Sequence, residues 1–240
     1  MSAVRYLAAG EQGLVVEFGD AIDPAVNARV QRLARVLSSR GVEGVLETVP
    51  TYRSLLVLFD PLVLPRKRLA AVVEGLLDAP SGTDEPAGAP DVVELPVCYG
   101  GEFGPDLEFV ARHSGLSPEE VISVHASPSY LVYMLGFTPG FPYLGGMPER
   151  IAVPRLASPR GKVPAGSVGI AGSQTGVYPV ESPGGWRLIG RTPSRIFDPG
   201  AAEPFLLAAG DLVRFRPIDE EEYWAYLQME EIRAFERGTR

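Results

Sequence analysis

A stretch of 65 residues, 136–200, is so rich in glycine and proline that it limits what the whole chain can fold into. It contains 13 of the 27 glycines and 10 of the 23 prolines. Glycine adopts backbone conformations that other residues avoid, and proline lacks the N–H group that a helix interior requires. Long helices are therefore excluded here, and the missing Gly-X-Y period excludes collagen. Short strands joined by tight turns remain.

The second half of the chain has the pattern of a β-barrel. From Tyr130 to Leu212–Phe215, short apolar runs alternate with Gly/Pro turns, as in closed or nearly closed barrels. Val92–Cys98 predicts a strand ahead of them. Pro105–His113 and Ser117–His125 predict two short helices, the second opened by a capping box with proline at its first position. A mostly β domain with two helices near its start follows.

The first 79 residues predict a small α+β domain with the order β-β-α-β-β-α. The predicted strands are Val4–Ala9, Leu14–Phe18, Gly44–Val49 and Ser54–Phe59, and the predicted helices begin at Pro24 and Pro65. Asp23 is the expected N-cap of the first helix, and Gly41 its end. This order fits helices packed on one face of a mostly antiparallel sheet.

Composition predicts the domain boundaries. Residues 80–91 lack apolar periodicity and predict a linker between the domain over 1–79 and the barrel domain over 92–217. Residues 218–240 predict a helix with seven acids and three arginines. Two interpretations of this acidic helix stay open, a solvated face or a docking element for a partner protein.

Charge and cysteine content restrict the partners and the compartment. The net charge of −8 disfavours general binding to nucleic acid or to an anionic membrane. Cys98 is the single cysteine, so no intramolecular disulfide can form, and residues 1–13 lack the apolar region of a signal peptide. We therefore expect a cytoplasmic protein without nucleic-acid or membrane partners.

Several common active sites lack their motifs. Gly161-Lys162 has neither the upstream glycine nor the following hydroxyl residue of a P-loop. No G-x-S-x-G motif occurs. With His113 and His125 as the only histidines beside one cysteine, no His/Cys zinc pattern can form, and no metal site is predicted.

The Gly/Pro-rich stretch carries the chemistry that remains. Residues 166–176 form a nearly side-chain-free run with small hydroxyls, which would let backbone N–H groups approach a ligand oxygen. Seven basic and three acidic residues lie in 136–200, and Arg160, Lys162 and Arg191 could pair with a carboxylate or phosphate. The candidate aromatic walls are Phe137, Phe141, Tyr143, Tyr178 and Trp186. The alternative is that the glycines turn barrel corners and the aromatic residues fill a core.

His125 is the best candidate for a general acid or base by residue type. It lies at the predicted C-terminal end of a helix, where the helix dipole favours the protonated imidazole. The alternative is a helix cap. Cys98, on a strand, is expected to be a small buried apolar residue.

Long ordered motifs in this chain resemble the KipI/PxpB family, which is also labelled allophanate hydrolase subunit 1. The motifs are PVCYGG over 96–101, GFTPGFPYLGG over 136–146, PAGSVGIAG over 164–172, QTGVYP over 174–179 and SPGGWRLIGRTP over 182–193. The resemblance is strong over residues 92–217 and extends to the N-terminal part by order of elements. It implies an α+β N-terminal domain followed by a cyclophilin-like β-barrel.

The resemblance also implies a function. Members act as the B subunit of a bacterial ATP-dependent 5-oxoprolinase, which opens the lactam of 5-oxo-L-proline to give L-glutamate. The implied partners are a KipA/PxpC-type subunit, a PxpA-type subunit and a small anionic substrate. ATP, with Mg²⁺, is the implied cosubstrate, at a site in this chain or shared with a partner. Two alternatives stay open, an inhibitor of a sensor histidine kinase like KipI and subunit 1 of an allophanate hydrolase.

Carried over by motif position, the resemblance implies roles for ten residues. His125 is the implied acid/base, and Arg160 and Arg191 are the implied anion clamps. The implied substrate-binding or ATP-binding residues are Tyr143, Lys162, Ser173, Gln174, Thr175, Tyr178 and Trp186.

Overall fold

The computed structural model of the protein describes residues 4–78 and 92–238, with side chains described as far as Met229. Contacts divide the chain into two units, Met1–Ala89 and Pro90–Arg240. The predicted linker over 80–91 lies outside the described residues.

The first unit has a four-stranded antiparallel sheet and two helices, in the order that the sequence predicts. Its elements are β1 (Arg5–Ala9), β2 (Gly13–Glu17), α1 (Pro24–Arg40), β3 (Val45–Pro50), β4 (Ser54–Phe59) and α2 (Arg66–Asp78). The strand order is β1-β2-β4-β3. Asp23 caps α1 by accepting from the backbone N–H of Ala25 at 2.7 Å, and Gly41 ends it in the left-handed conformation.

The core of the first unit lies between the sheet and the helices. Val16 and Val57 from the strands and Leu33 and Val73 from the helices are fully or almost fully buried. One apolar face of each helix therefore packs on the sheet, as the order of elements predicts.

The second unit is built on a closed seven-stranded barrel, which confirms the predicted barrel. The second unit has nine described strands, seven of which form the barrel: β5 (Val92–Tyr99), β6 (Ser129–Leu135), β7 (Pro142–Gly145), β8 (Arg160–Val163), β9 (Ser167–Ala171), β10 (Gln174–Val177), β11 (Ser182–Gly184), β12 (Arg187–Arg191) and β13 (Leu212–Ile218). The barrel order is β10-β7-β6-β13-β5-β12-β9, and β8 pairs separately with β11. Within the described barrel strands, only the β5–β13 pair is parallel.

Three α-helices accompany the barrel in the described part of the second unit. They are α3 (Leu107–Ser114), α4 (Pro118–Ala126) and α5 (Glu220–Gly238). Side chains fill the barrel interior, among them Leu95, Ile170 and Val213, so the barrel is a packed core rather than a pore. No helix in the described parts of the chain is both long and apolar enough to cross a bilayer.

Candidate functional site

A cavity of about 440 Å³ lies in the second unit. Its lining residues are Phe137, Phe141, Tyr143, Arg155, Pro159, Tyr178, Pro183, Gly184, Gly185 and Trp186. All five aromatic residues that the sequence predicts as walls are among them. The volume lies in the ordinary range for small-molecule sites, which are concave and mostly apolar with a few polar groups.

Phe141 is the centre of the aromatic cluster. Its ring lies edge to face with the other four aromatic rings of the cavity, at centroid distances between 5.3 and 5.5 Å. Edge-to-face packing brings the positive edge of one ring to the negative face of another. The contacts therefore hold the walls in a defined arrangement without any ligand.

Two glycines give these rings their room. A Cβ at Gly176 would lie 3.1 Å from the Phe141 ring and 3.2 Å from the Trp186 ring. A Cβ at Gly184 would collide with the Tyr178 hydroxyl oxygen. Part of the glycine excess therefore serves the cavity through close packing, as the alternative of a packed core predicts.

Arg155 is the charged residue of the cavity lining, and it has no ion-pair partner among the described residues. Its positive charge acts on the Tyr178 phenol, whose pKa burial raises while Arg155 and Arg160 oppose the rise. A cation beside aromatic walls suits a ligand with an apolar body and one anionic group.

Phe137 occupies a strained turn at the cavity. Its φ of 68° is the one positive φ of a non-glycine residue in the described chain. The N–H of Thr138 donates to the carbonyl of Gly136 at 2.8 Å, which makes Phe137 the central residue of a three-residue turn. Its side chain is nevertheless 65% exposed. Strain of this kind persists where the surroundings fix it and is concentrated at functional sites.

Arg160 and Lys162, both predicted to bind anions, form ion pairs. The guanidinium of Arg160 lies 2.9 Å from Asp106, and its Nη1 donates to the carbonyl of Trp186 at 3.2 Å. Asp106 is mostly buried and also accepts from the N–H of Leu188 at 2.7 Å. Lys162 pairs with Glu181 at 3.0 Å on the exposed surface. Arg160 therefore stabilises the backbone of Trp186, one of the residues that line the cavity.

Arg191 lies elsewhere, between β12 and α5. Its guanidinium is 5.9 Å from the Phe103 ring, and its positive charge opposes the rise that burial causes in the pKa of Tyr223 on α5. Arg191 does not line the cavity. Its role as an anion clamp stays a prediction, which the structure does not test.

The three hydrogen-bonding residues predicted at 173–175 face different surroundings. Ser173 is exposed in the turn between β9 and β10, and Gln174 is half-buried at the start of β10. Thr175 is fully buried in the barrel interior. The glycine-rich run is therefore mainly a barrel hairpin, and these three side chains do not share one surface.

His125 lies with Thr175 in a sealed hydrogen-bond chain. The Thr175 hydroxyl donates to the carbonyl of Gly169 at 3.1 Å, so its oxygen accepts from Nε2–H of His125 at 2.8 Å. Nδ1 of His125 then accepts from the Tyr99 hydroxyl at 2.8 Å. Burial raises the pKa of Tyr99 well above its ordinary value, which keeps this donor protonated. The network assigns one neutral tautomer to the imidazole.

The expectation that the helix end keeps the His125 imidazole protonated is wrong. Complete burial lowers the pKa of His125 to about 3. Desolvation of the charged form outweighs the helix dipole, whose effect is small by comparison. The Phe215 ring stacks on the imidazole at 4.6 Å and excludes water from it. The acid/base role stays a prediction, while this geometry favours a supporting one.

The structure brings together Tyr143, Tyr178 and Trp186 from the predicted site residues. It adds Arg155 and Asp106, which the sequence motifs did not single out. The excess of basic residues in 136–200 signalled Arg155, but only the folded chain separates paired from unpaired cations. No group of three or more His, Cys, Asp or Glu side chains in the described residues could hold a metal ion.

The chain is similar to known proteins along most of its length. Residues 4–207 match the carboxyltransferase domain family, subdomain C and D. The chain is 47% identical over 225 residues to the 5-oxoprolinase B subunit of Bacillus subtilis strain 168, covering 90% of this chain and 94% of that one. It is 43% identical over 220 residues to the 5-oxoprolinase B subunit of Escherichia coli O157:H7, covering 92% and 99%.

The chain belongs to the family of 5-oxoprolinase B subunits. This confirms the resemblance that the motifs indicate. Among solved structures, TTHA0988 in space group P212121 has a TM-score of 0.77 and 41% identity over 87% of this chain. Our chain spans 40% of the length of that solved chain. This member of the 5-oxoprolinase family therefore corresponds to part of one longer relative and to nearly the whole of the two bacterial subunits.

Proposed function

We propose that this chain is the B subunit of an ATP-dependent 5-oxoprolinase, which opens the lactam of 5-oxo-L-proline to L-glutamate. The observation that carries the proposal is the likeness, along nearly the whole chain, to bacterial proteins of that name. The cavity supports it, because 5-oxo-L-proline is a small ring with one carboxylate and the lining offers aromatic faces and, within the described residues, one unpaired arginine.

The chemistry explains why ATP is needed. An amide carbon is a poor electrophile. Transfer of the γ-phosphoryl group from ATP to the amide oxygen, with release of ADP, turns that oxygen into a leaving group. One water then adds to the carbon and the C–N bond breaks, which frees the amine and leaves an acyl phosphate. A second water hydrolyses the acyl phosphate to the carboxylate of L-glutamate and releases phosphate. Preorganised donors around the reacting amide would stabilise the charge that develops.

ATP itself does not fit the described residues of this chain well. Arg160, Lys162 and Arg195 are engaged by Asp106, Glu181 and Asp198. A triphosphate requires several free cations or a glycine loop at a helix start, and the sequence has no P-loop. We therefore place ATP, with Mg²⁺, on a KipA/PxpC-type or PxpA-type partner or at the junction with one.

Within this proposal the residues have different roles. Tyr143, Tyr178 and Trp186 are substrate contacts. Arg160 and His125 hold the walls and the barrel strands in position. The finer fold description, a cyclophilin-like barrel after an α+β domain, and a cytoplasmic location belong to the same proposal.

A KipI-like inhibitor of a sensor histidine kinase is the second candidate. The observation that favours it is the cavity itself, because rows of aromatic residues also receive proline-containing segments of partner proteins. An allophanate hydrolase-type amidase is less favoured, since the chain lacks the Ser-Lys signature of such amidases.

One experiment separates these functions. The chain is co-expressed with the products of neighbouring genes, and 5-oxoproline-dependent ATP hydrolysis is measured with and without it. We expect hydrolysis only when the chain is present. Unchanged hydrolysis without the chain would reject the proposed enzyme role, and inhibition of kinase autophosphorylation by the purified chain would then favour the inhibitor.

A further inference from the structure

The charge distribution around the aromatic cavity selects the ligand. Nine of the ten lining residues are aromatic, proline or glycine, and the tenth is Arg155. Arg160 is held by Asp106 at 2.9 Å, whereas Arg155 is exposed and lacks an ion-pair partner among the described residues. The cavity therefore offers one available cation, at its edge, to a ligand whose remaining surface is apolar or planar.

The geometry of Phe137 supplies the second observation. Its backbone has a left-handed φ, which is energetically unfavourable for a bulky residue. The residue is nevertheless 65% exposed. Its ring lines the cavity, with its centroid 5.5 Å from that of Phe141. A buried ring could be explained by packing alone. An exposed ring on a strained turn, at the edge of a cavity larger than one five-membered ring, is placed to cover a ligand and fill the excess space.

We infer that this cavity binds the substrate of the proposed function, a small cyclic amide with a carboxylate, with Arg155 paired to the carboxylate and Phe137 closed over the ring. The inference rests on the proposed function and names the residues that recognise the substrate. Tyr143 and Trp186 line the same cavity, and each packs edge to face against Phe141.

Tryptophan fluorescence gives a direct test, because the chain has two tryptophans and one of them lines the cavity. Trp224 is half-exposed on α5, so the Trp224→Phe chain reports on Trp186 alone. The chain is titrated with 5-oxo-L-proline, with 2-pyrrolidinone, which lacks the carboxylate, and with a proline-containing peptide. We expect a saturable change with 5-oxo-L-proline and at least tenfold weaker binding of 2-pyrrolidinone.

Matched variants assign the two roles. Arg155→Gln is expected to weaken binding of 5-oxo-L-proline tenfold to about a hundredfold, with little effect on 2-pyrrolidinone. Arg150→Gln, at an exposed arginine outside the lining, is the control and should bind as the parent chain does. Phe137→Gly relieves the strained φ and removes the ring, so it should weaken binding while the unfolding midpoint stays the same or rises.

The assembled complex distinguishes failure of this inference from failure of the proposed function. In a complex that needs the chain for turnover, Arg155→Gln should raise KM for 5-oxo-L-proline at least tenfold, with a smaller change in kcat. Unchanged KM in both Arg155→Gln and Phe137→Gly would overturn the inference and leave the function intact. Saturable binding of the peptide, without binding of 5-oxo-L-proline, would overturn it as well.

Discussion

Nε2 of His125 donates to Oγ1 of Thr175 across 2.8 Å inside the barrel, and so joins helix α4 to strand β10. The residue that follows Thr175 is Gly176, which packs closely against Phe141 and Trp186 of the cavity. Because side chains alternate across a strand, one side of β10 binds His125 and the other supports the aromatic walls. His125 therefore helps to position Phe141 and Trp186 indirectly, through strand β10.

The burial of His125 predicts a pH-dependent stability. Its pKa is about 3 in the folded chain and near 6.5 when unfolded. Between these values only the unfolded chain binds the proton, so the free energy of unfolding should fall as pH falls below about 6.5, by roughly 1 kcal/mol per pH unit. Above that pH His125 contributes no slope. Urea unfolding at intervals from pH 4 to pH 8 measures it.

His125→Gln provides the comparison, since glutamine can donate and accept but does not titrate in this range. We expect the variant to be less stable at pH 7 and to depend less steeply on pH between 4 and 6. His113 and the carboxylates contribute equally to both chains and cancel in the difference. Parallel curves would mean that His125 titrates normally and that the neutral network is wrong.

Arg160 and Lys162 lie on one strand but should differ in their contribution to stability. Arg160→Ala would leave the buried carboxylate of Asp106 with the N–H of Leu188 and the more distant Arg187, 3.8 Å away, so losing the close charged hydrogen bond should lower the free energy of unfolding by about 2 kcal/mol. Lys162→Ala removes a pair whose two side chains are 72% and 52% exposed, and such pairs contribute about 0–1 kcal/mol. Denaturant unfolding of both variants checks the order, and equal losses would contradict it.

Two glycines of neighbouring strands provide a test of close packing. Ala at position 184 would meet the Tyr178 hydroxyl, so Gly184→Ala should cost about 1–3 kcal/mol of stability and shift the Tyr178 ring. Gly161 has open space around it and no positive φ, so Gly161→Ala should be neutral or slightly stabilising. Thermal unfolding compares them. A Gly184→Ala chain as stable as Gly161→Ala would show that the Tyr178 wall is loosely packed.

Much of the fold could be predicted because its signals are local. The cap at Asp23, the stop at Gly41 and the apolar run in Ser54–Phe59 each depend on nearby residues, and the structure has these elements. The aromatic walls could also be predicted, since bulky rings beside glycines must either fill a core or line a cavity. The cavity does both, with Phe141 in the core and Phe137 exposed.

The charged residues were harder to assign because their roles depend on distant partners. Asp106 and Arg160 are 54 positions apart, and no local pattern predicts their ion pair. His125 and Thr175 are 50 positions apart, so the burial that sets the imidazole pKa is a property of the closed barrel. The composition of 136–200 gives the number of cations but could not show that the one lining the cavity, Arg155, lacks an ion-pair partner among the described residues.

We expect Arg191 to anchor helix α5 to the barrel. Its guanidinium lies 5.9 Å from the Phe103 ring, and that ring packs against Tyr223 of the helix at 4.6 Å, so Arg191 connects β12 to α5 through Phe103. Arg191→Gln should therefore speed amide hydrogen exchange in residues 220–229. Arg187, on the same strand, instead lies 3.6 Å from the Phe109 ring of α3, so Arg187→Gln should speed exchange in α3 and leave α5 unchanged. If Arg191→Gln abolishes turnover of the assembled complex without changing exchange in α5, then Arg191 acts as the anion clamp that the motifs imply rather than as an anchor.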